Sequence, residues 1–371
     1  MSGLDFRLAT ADDDPELRRL LRTNPMPGQF RVSFEREPDA LAAGAVAGDR
    51  HHTIVAADPT HGGLIGMGSR TVYSGFVNGR RCRIGYLSQL RLERAYRGRI
   101  RLLARGYQLL HSLRARDELP FDITTIVADN CTARRVLGAG LPHLPAYREL
   151  EAFTTSIVPL WRSVRAPACP DVRIERGSPE RLDGIAACLE RNRSRLQFAP
   201  CWTPDELRSA DRSRDLAPGD FLVALASGRI VGCAAVWNQS RFKQIVVHDY
   251  GPWMRRWQPW TDLLSRVAGT LRLPAPGQPL PHVFLSHVAV DGDRLDVFGA
   301  LTAGACNQAR RAGHACLIAG FAARHPFARA LTGLSRAWTY SSLLYAVSWG
   351  ADRADGPALD GRVPHLEVAL L

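Results

Sequence analysis

The sequence predicts an α/β protein with a mixed sheet, built as two tandem copies of one unit. Three observations carry that reading. The 371 residues are enough for about two domains. Strand-like and helix-like stretches alternate along the chain. The same landmarks recur in the same order in both halves.

Asp5-Phe6-Arg7-Leu8 returns 166 positions later as Asp171-Val172-Arg173-Ile174, a short strand each time. Pro15-Glu16-Leu17 and Pro179-Glu180-Arg181-Leu182 then place Pro and Glu in the first turn of a helix. A hairpin follows in each half. The first joins 53–57 to 64–68 across Gly62-Gly63, and the second joins 221–226 to 230–234 across Ser227-Gly228.

The clearest match comes next. Tyr86-Leu87-Ser88-Gln89-Leu90-Arg91-Leu92 parallels Phe284-Leu285-Ser286-His287-Val288-Ala289-Val290, now 198 positions apart, so the second half carries about 32 extra residues before this strand. Amphipathic helices follow at 102–113 and 295–310, then strands at 122–128 and 315–320. Asn130-Cys131-Thr132-Ala133-Arg134 and His325-Pro326-Phe327-Ala328-Arg329 open another helix in each half. Residues 152–158 and 341–349 are the last strands. Each half therefore reads β-α-β-β-β-α-β-α-β. The joint at 162–170 holds Pro167 and Pro170 and has no periodicity, which divides the chain into domains 1–165 and 166–371.

Composition removes several classes. Hydrophobic residues make up 46% and charged residues 23%, which is neither disordered nor fibrous. The longest apolar run, 41–46, is far short of the ~20 residues of a membrane span. The acidic start at Asp12-Asp13-Asp14 does not read as a signal peptide, so the expected location is the cytoplasm. Eight cysteines at irregular spacing, with no CxxC pair, read as reduced thiols. The formal charge is +12, which favours anionic partners, and every cation except Lys243 is arginine.

Leu90-Arg91-Leu92-Glu93-Arg94-Ala95-Tyr96-Arg97-Gly98-Arg99 carries a more specific signal. A strand leads through a Tyr-Arg-Gly turn into a helix. First-turn N–H groups have no partner within their helix, the helix dipole adds partial positive charge, and glycine admits close approach, so such a turn suits a pyrophosphate. Arg97, Arg99 and Arg101 surround Gly98.

With the order of elements, this segment resembles the acyl-CoA motif of the GNAT (GCN5-related N-acetyltransferase) superfamily, here in tandem. The resemblance implies that acetyl-CoA, or another acyl-CoA, binds the first half. The cofactor-binding positions it implies are Leu90, Arg91 and Leu92, through their backbones, with Arg97, Gly98, Arg99, Ile100, Arg101, Leu102 and Asn130. The family loop has glycine where Ile100 stands and Gly or Ala where Leu102 stands, so either a residue is lost or the loop takes another shape. The family's general-acid tyrosine position holds Leu137. In the second half the matching loop, Asp291-Gly292-Asp293-Arg294-Leu295-Asp296, is acidic and is expected not to bind CoA in the usual way.

The catalytic candidates are Glu93, which follows the motif strand, and His287, which stands where Gln89 stands in the first half and titrates near neutral pH. An exposed carboxylate and a structural histidine are the competing readings. Asn130 also suits a helix cap. His248, Asp249, Tyr340 and Tyr345 are further pocket candidates. The insert at 250–280, with Trp253, Arg255, Arg256, Trp257 and Trp260, reads as packing or a homodimer patch before nucleic-acid binding. His51, His52 and His61 make no metal pattern.

The expected function is acyl transfer from acyl-CoA to the amine of a small molecule or peptide, with no membrane partner and nucleic acid disfavoured. The alternative is a non-catalytic acyl-CoA sensor or binding protein.

Overall fold

The computed structural model describes residues 3–26, 30–60, 62–250, 274–333, 337–349 and 358–371. The tryptophan-rich part of the insert, and His61, lie outside these residues.

The first half contains β1 (Asp5–Leu8), α1 (Asp14–Thr23), β2 (Phe30–Glu35), β3 (Arg50–Asp58), β4 (Gly63–Val77), β5 (Arg80–Leu92), α2 (Ile100–Ser112), β6 (Glu118–Val127), α3 (Cys131–Gly138) and β7 (Ala146–Pro159). The second contains β8 (Arg173–Arg176), α4 (Leu182–Arg193), α5 (Pro204–Arg208), β9 (Phe221–Ala226), β10 (Arg229–Trp237), β11 (Gln244–Tyr250), β12 (Gln278–Pro279), β13 (His282–Val290), α6 (Leu295–Arg311), β14 (Cys316–Ala322), α7 (Pro326–Gly333) and β15 (Trp338–Ser348). Every strand and helix expected from the repeat is present. The strands β2, β11 and β12 and the helix α5 are additions.

Twelve strands form one sheet, in the order β1-β3-β4-β5-β6-β15-β7-β14-β13-β10-β9-β8. The order is symmetric about the β15–β7 pair, and each half lends its last strand to the other. β15 pairs with β6 from Ser342–Val127 to Ser348–Phe121, and β7 pairs with β14 from Pro159–Cys316 to Phe153–Ala322. Only β5–β6 and β13–β14 run parallel; the other pairs of this sheet are antiparallel. A second sheet, β12-β11-β2, combines strands from the two halves.

Local chemistry explains the long hairpin of β4 and β5. Asn78 and Gly79, at φ 51° and 76°, form the Asn-Gly turn whose twist matches paired strands. Gly85 has a different task. A Cβ there would fall 1.9 Å from Asp122 Oδ1. That carboxylate and Glu118 neutralise Arg70, whose side chain is fully buried. Among the helices, α1 buries Leu17, Leu20 and Leu21, and α6 packs Val297, Phe298 and Leu301 into the second half's core. All eight cysteines are free, five of them buried.

Candidate functional site

The site begins where a sheet comes apart. β5 and β6 pair at Arg83–Glu118, Gly85–Asp122 and Tyr86–Ile123, and no further. Beyond that point β5 stays with β4 and β6 stays with β15, while Thr124 Oγ1 donates to Leu87 O at 2.8 Å. The gap opens into a cavity of about 1470 Å³ with a mostly apolar lining. One end lies against α2 and α3 and is lined by Leu103, Tyr107, Leu110 and Leu137. The other end reaches the small sheet and the second half, at Ile245, Val247, Phe284 and Ile318.

A bulge bends β5 at this gap. Met67 opposes Arg91 and Ser69 opposes Ser88, so Gln89 and Leu90 together face the single residue Gly68. Gln89 takes φ 55°, a left-handed conformation that costs a side-chain-bearing residue about 1 kcal/mol. β13 repeats the device. Cys233 opposes Ala289, Ala235 opposes Ser286, and His287 has φ 53°. The sequence alignment of Gln89 with His287 is thus matched by their backbones.

Leu90, Arg91 and Leu92 all line the cavity. Burial and the neighbouring Arg97 hold the Arg91 guanidinium down to about 10. The turn that follows contains Gly98 at φ 82°, and a side chain there would meet nothing within 4 Å. α2 already begins at Ile100. The N–H groups of Leu102 and Leu103 bond back to Arg99 O, at 3.0 and 3.3 Å. The N–H groups of Gly98, Ile100 and Arg101 have no partner among the described residues, as expected of a helix start.

The loop therefore has its own shape, with one left-handed glycine and a helix that starts at once. Leu102 is not a loop residue, since it packs against Ala56, Ile65 and Tyr96. Arg97 donates to Asn24 Oδ1 at 2.7 Å, and the Arg99 guanidinium lies 4.4 Å from the Tyr96 ring centre. Arg101 is exposed. Asn130 caps α3, its Oδ1 accepting from Ala133 N at 3.2 Å, and it also lines the cavity.

The two catalytic candidates are not brought together. Glu93 lies outside the cavity lining and is ion-paired with Arg19 at 2.5 Å. His287 is fully buried, 4.3 Å from the Trp202 ring centre and 5.3 Å from that of Phe221. Burial holds its imidazole well below the usual range. Tyr340 lines the cavity, whereas Tyr345 turns to Glu149 at 3.3 Å. His248 contacts Ser33 Oγ at 2.8 Å.

Some lining residues escaped the sequence reading. The hydroxyls of Tyr107 and Tyr147 meet at 2.6 Å in the cavity wall, and burial pushes Tyr107 up to about 12. Tyr107 shares the buried face of α2 with Leu103 and Leu110, a spacing that was legible in principle. Glu35, Arg36 and Lys243 line the far end. Lys243 had one available signal, as the only lysine of the chain.

Comparison with known proteins bears on the fold. No family model matches the sequence, and no curated protein matches it. Solved structures do match. Saccharomyces cerevisiae N-myristoyltransferase with bound myristoyl-CoA superposes with TM-score 0.60 at 12% identity, over 95% of this chain and 80% of that one. The GCN5-related glucosamine N-acetyltransferase region of a fungal multi-domain GH3 β-N-acetylglucosaminidase gives TM-score 0.60 at 14% identity. That match covers 94% of this chain and 38% of the other. The chain has a tandem GNAT fold. A GCN5-related N-acetyltransferase from Sphaerobacter thermophilus matches over 93% of this chain and 99% of its own, with TM-score 0.50 and 14% identity. In the second half the corresponding parallel pair, β13 and β14, is joined only from His282–Cys316 to Phe284–Ile318. Among the described residues, no helix is long and apolar enough to cross a membrane.

Proposed function

We propose that the first-half cleft binds acyl-CoA and transfers the acyl group to an amine. One observation carries this reading: β5 and β6 part beside a helix start with unpartnered N–H groups, and a cavity opens between them. The pyrophosphate would sit at Gly98, Ile100 and Arg101, where backbone donors and positive charge coincide. The thioester would lie along Leu90–Leu92, whose backbone N–H groups would polarise its carbonyl. The cavity exceeds the needs of an acetyl group, so longer acyl chains belong in the test.

Transfer needs little covalent help. The amine attacks the carbonyl carbon, a proton leaves the nitrogen, and the thiolate is protonated. Leu137 cannot supply that proton. The Tyr107–Tyr147 hydroxyl pair lines the same cavity, and we assign the acid there.

The non-catalytic alternative draws on the seclusion of Glu93 and His287. Isothermal titration with acetyl-CoA and decanoyl-CoA separates the readings. Wild type should bind at least one of the two. Gly98→Glu, which sets a carboxylate in open space at the helix start, should weaken that binding by about tenfold or more, roughly 1.4 kcal/mol. No binding by wild type would reject the cofactor assignment, and binding without turnover on an amine panel would favour the sensor.

A further inference from the structure

Two buried basic side chains face the cavity, and neither has an ion-pair partner among the described residues. Arg36 is 6% exposed and Lys243 5% exposed, and both line its far end. They follow β2 and precede β11, which are antiparallel with Glu35 opposite Gln244. One further step in that register sets Arg36 beside Lys243. Arg36 Nη1 donates to Ala43 O at 3.1 Å. With the Gln89 amide oriented to satisfy both side chains, Arg36 Nε and Nη2 each donate to its oxygen at 2.7 Å. Lys243 Nζ donates to Ala369 O at 2.9 Å and lies 5.9 Å from the Phe284 ring centre.

These partners are all neutral. Burying a charge without a counterion is costly, and like charges side by side add to the cost. Other buried arginines of this chain meet that cost with carboxylates: Arg70 with Glu118 and Asp122, and Arg193 with Glu367. Glu35 also lines the cavity, but its carboxylate is engaged with Ser33, Arg22 and His248. Lys243 in turn bears on His282, and Arg91 bears on Arg36. Burial and Arg36 hold the Lys243 amine well below its ordinary range, and a bound carboxylate would favour its charged form.

The position of the pair narrows what could complete it. Arg36 touches Gln89, the bulge residue of β5 just beyond its last pair with β6. An anion on Arg36 would therefore lie one side chain away from the bulge that precedes Leu90–Leu92, where the thioester is proposed to lie. The neighbouring wall, including Ile245, Val247 and Leu280, is apolar.

We propose that Arg36 and Lys243 bind the carboxylate of the acceptor, and that the acceptor is a free α-amino acid with an apolar side chain. The assignment rests on the acyl-transfer reading of the cavity. Only a short spacer between carboxylate and amine lets both groups reach their places. The nitrogen attacks the thioester carbonyl, a C–N bond forms, the C–S bond breaks, and the proton lost by the nitrogen ends on the thiol. The product is an N-acyl amino acid that keeps its carboxylate.

The test compares N-decanoyl-L-leucine with its primary amide by calorimetry, so no turnover is needed. Wild type should bind the acid about tenfold or more tightly than the amide. Lys243→Met should bring the two within about threefold, and Arg36→Gln should do the same if Lys243→Met does not fold. Equal binding of acid and amide by wild type, binding of neither, or a preference that survives in a folded variant overturns the proposal. Decanoyl-CoA is titrated separately. If neither it nor acetyl-CoA binds, the acyl-CoA reading itself is wrong. If it binds normally and the acid has no advantage, only the carboxylate assignment falls.

Discussion

The two halves share a bulged strand and a parted strand pair, but only one gap is open. In the first half the gap beside Gln89 is a cavity. In the second, the C-terminal segment fills it. Glu367 Oε2 accepts from His287 N at 3.0 Å and from Arg193 Nη2 at 2.5 Å. Val368 lies against Gly320, where a Cβ would fall 2.4 Å from its Cγ2. The loops differ in the same sense. Around Gly98 the helix start is open. Around Gly292 the carboxylates are occupied: Asp291 by Arg191, Asn192 and Arg229, and Asp293 by Arg195. Duplication conserved the backbone device, while side chains decided which copy could receive a ligand.

The filled gap should be the more costly one to disturb. Arg193 is 1% exposed, and Glu367 is its only ionic partner among the described residues. Glu367→Ala should therefore lower unfolding free energy by about 3–5 kcal/mol, measured by chemical denaturation. A loss below about 1 kcal/mol would mean that the segment does not secure the second half.

The same contrast explains what the sequence made legible. Repeated landmarks such as Leu87-Ser88 and Leu285-Ser286 mark shared backbone, so the fold and the Gln89–His287 correspondence could be read in advance. The plug could not, because Glu367 meets Arg193 across 174 positions with no motif at either end. Arg36 and Lys243 escaped for the same reason, since a sheet assembled from distant strands joins them. The Asn78-Gly79 turn was legible by its chemistry and joins strands that the repeat alone had left too short.

A smaller effect comes from pH. His287 and His365 are buried in the filled gap, and desolvation holds both well below the usual imidazole range. The facing charges are Arg193, Arg212 and Glu367, with His325 beside His365. A depressed histidine keeps its stabilising contribution above the unfolded value of about 6.5 and loses it as pH falls, by up to about 1.4 kcal/mol per unit per group. Between pH 7.5 and 5.5 the pair should cost about 2–3 kcal/mol. Denaturation of His287→Gln across that range should give a slope shallower by about one proton. An unchanged slope would mean that His287 titrates alike in both states.

The smallest effect tests the packing of the plug alone. Gly320→Ala keeps ordinary backbone geometry but drives a methyl group into Val368, with Thr155 Oγ1 3.2 Å away on the other side. Overpacking of this kind should cost about 1–2 kcal/mol. Val368→Ala removes the group that is struck and leaves a small void, costing about 1 kcal/mol by itself. If the segment is packed tightly against β14, the double variant should be more stable than the two losses added together, because each change makes room for the other. Simple additivity would show that the segment yields readily at this point. The second gap would then be closed by the Glu367 ion pair and not by shape.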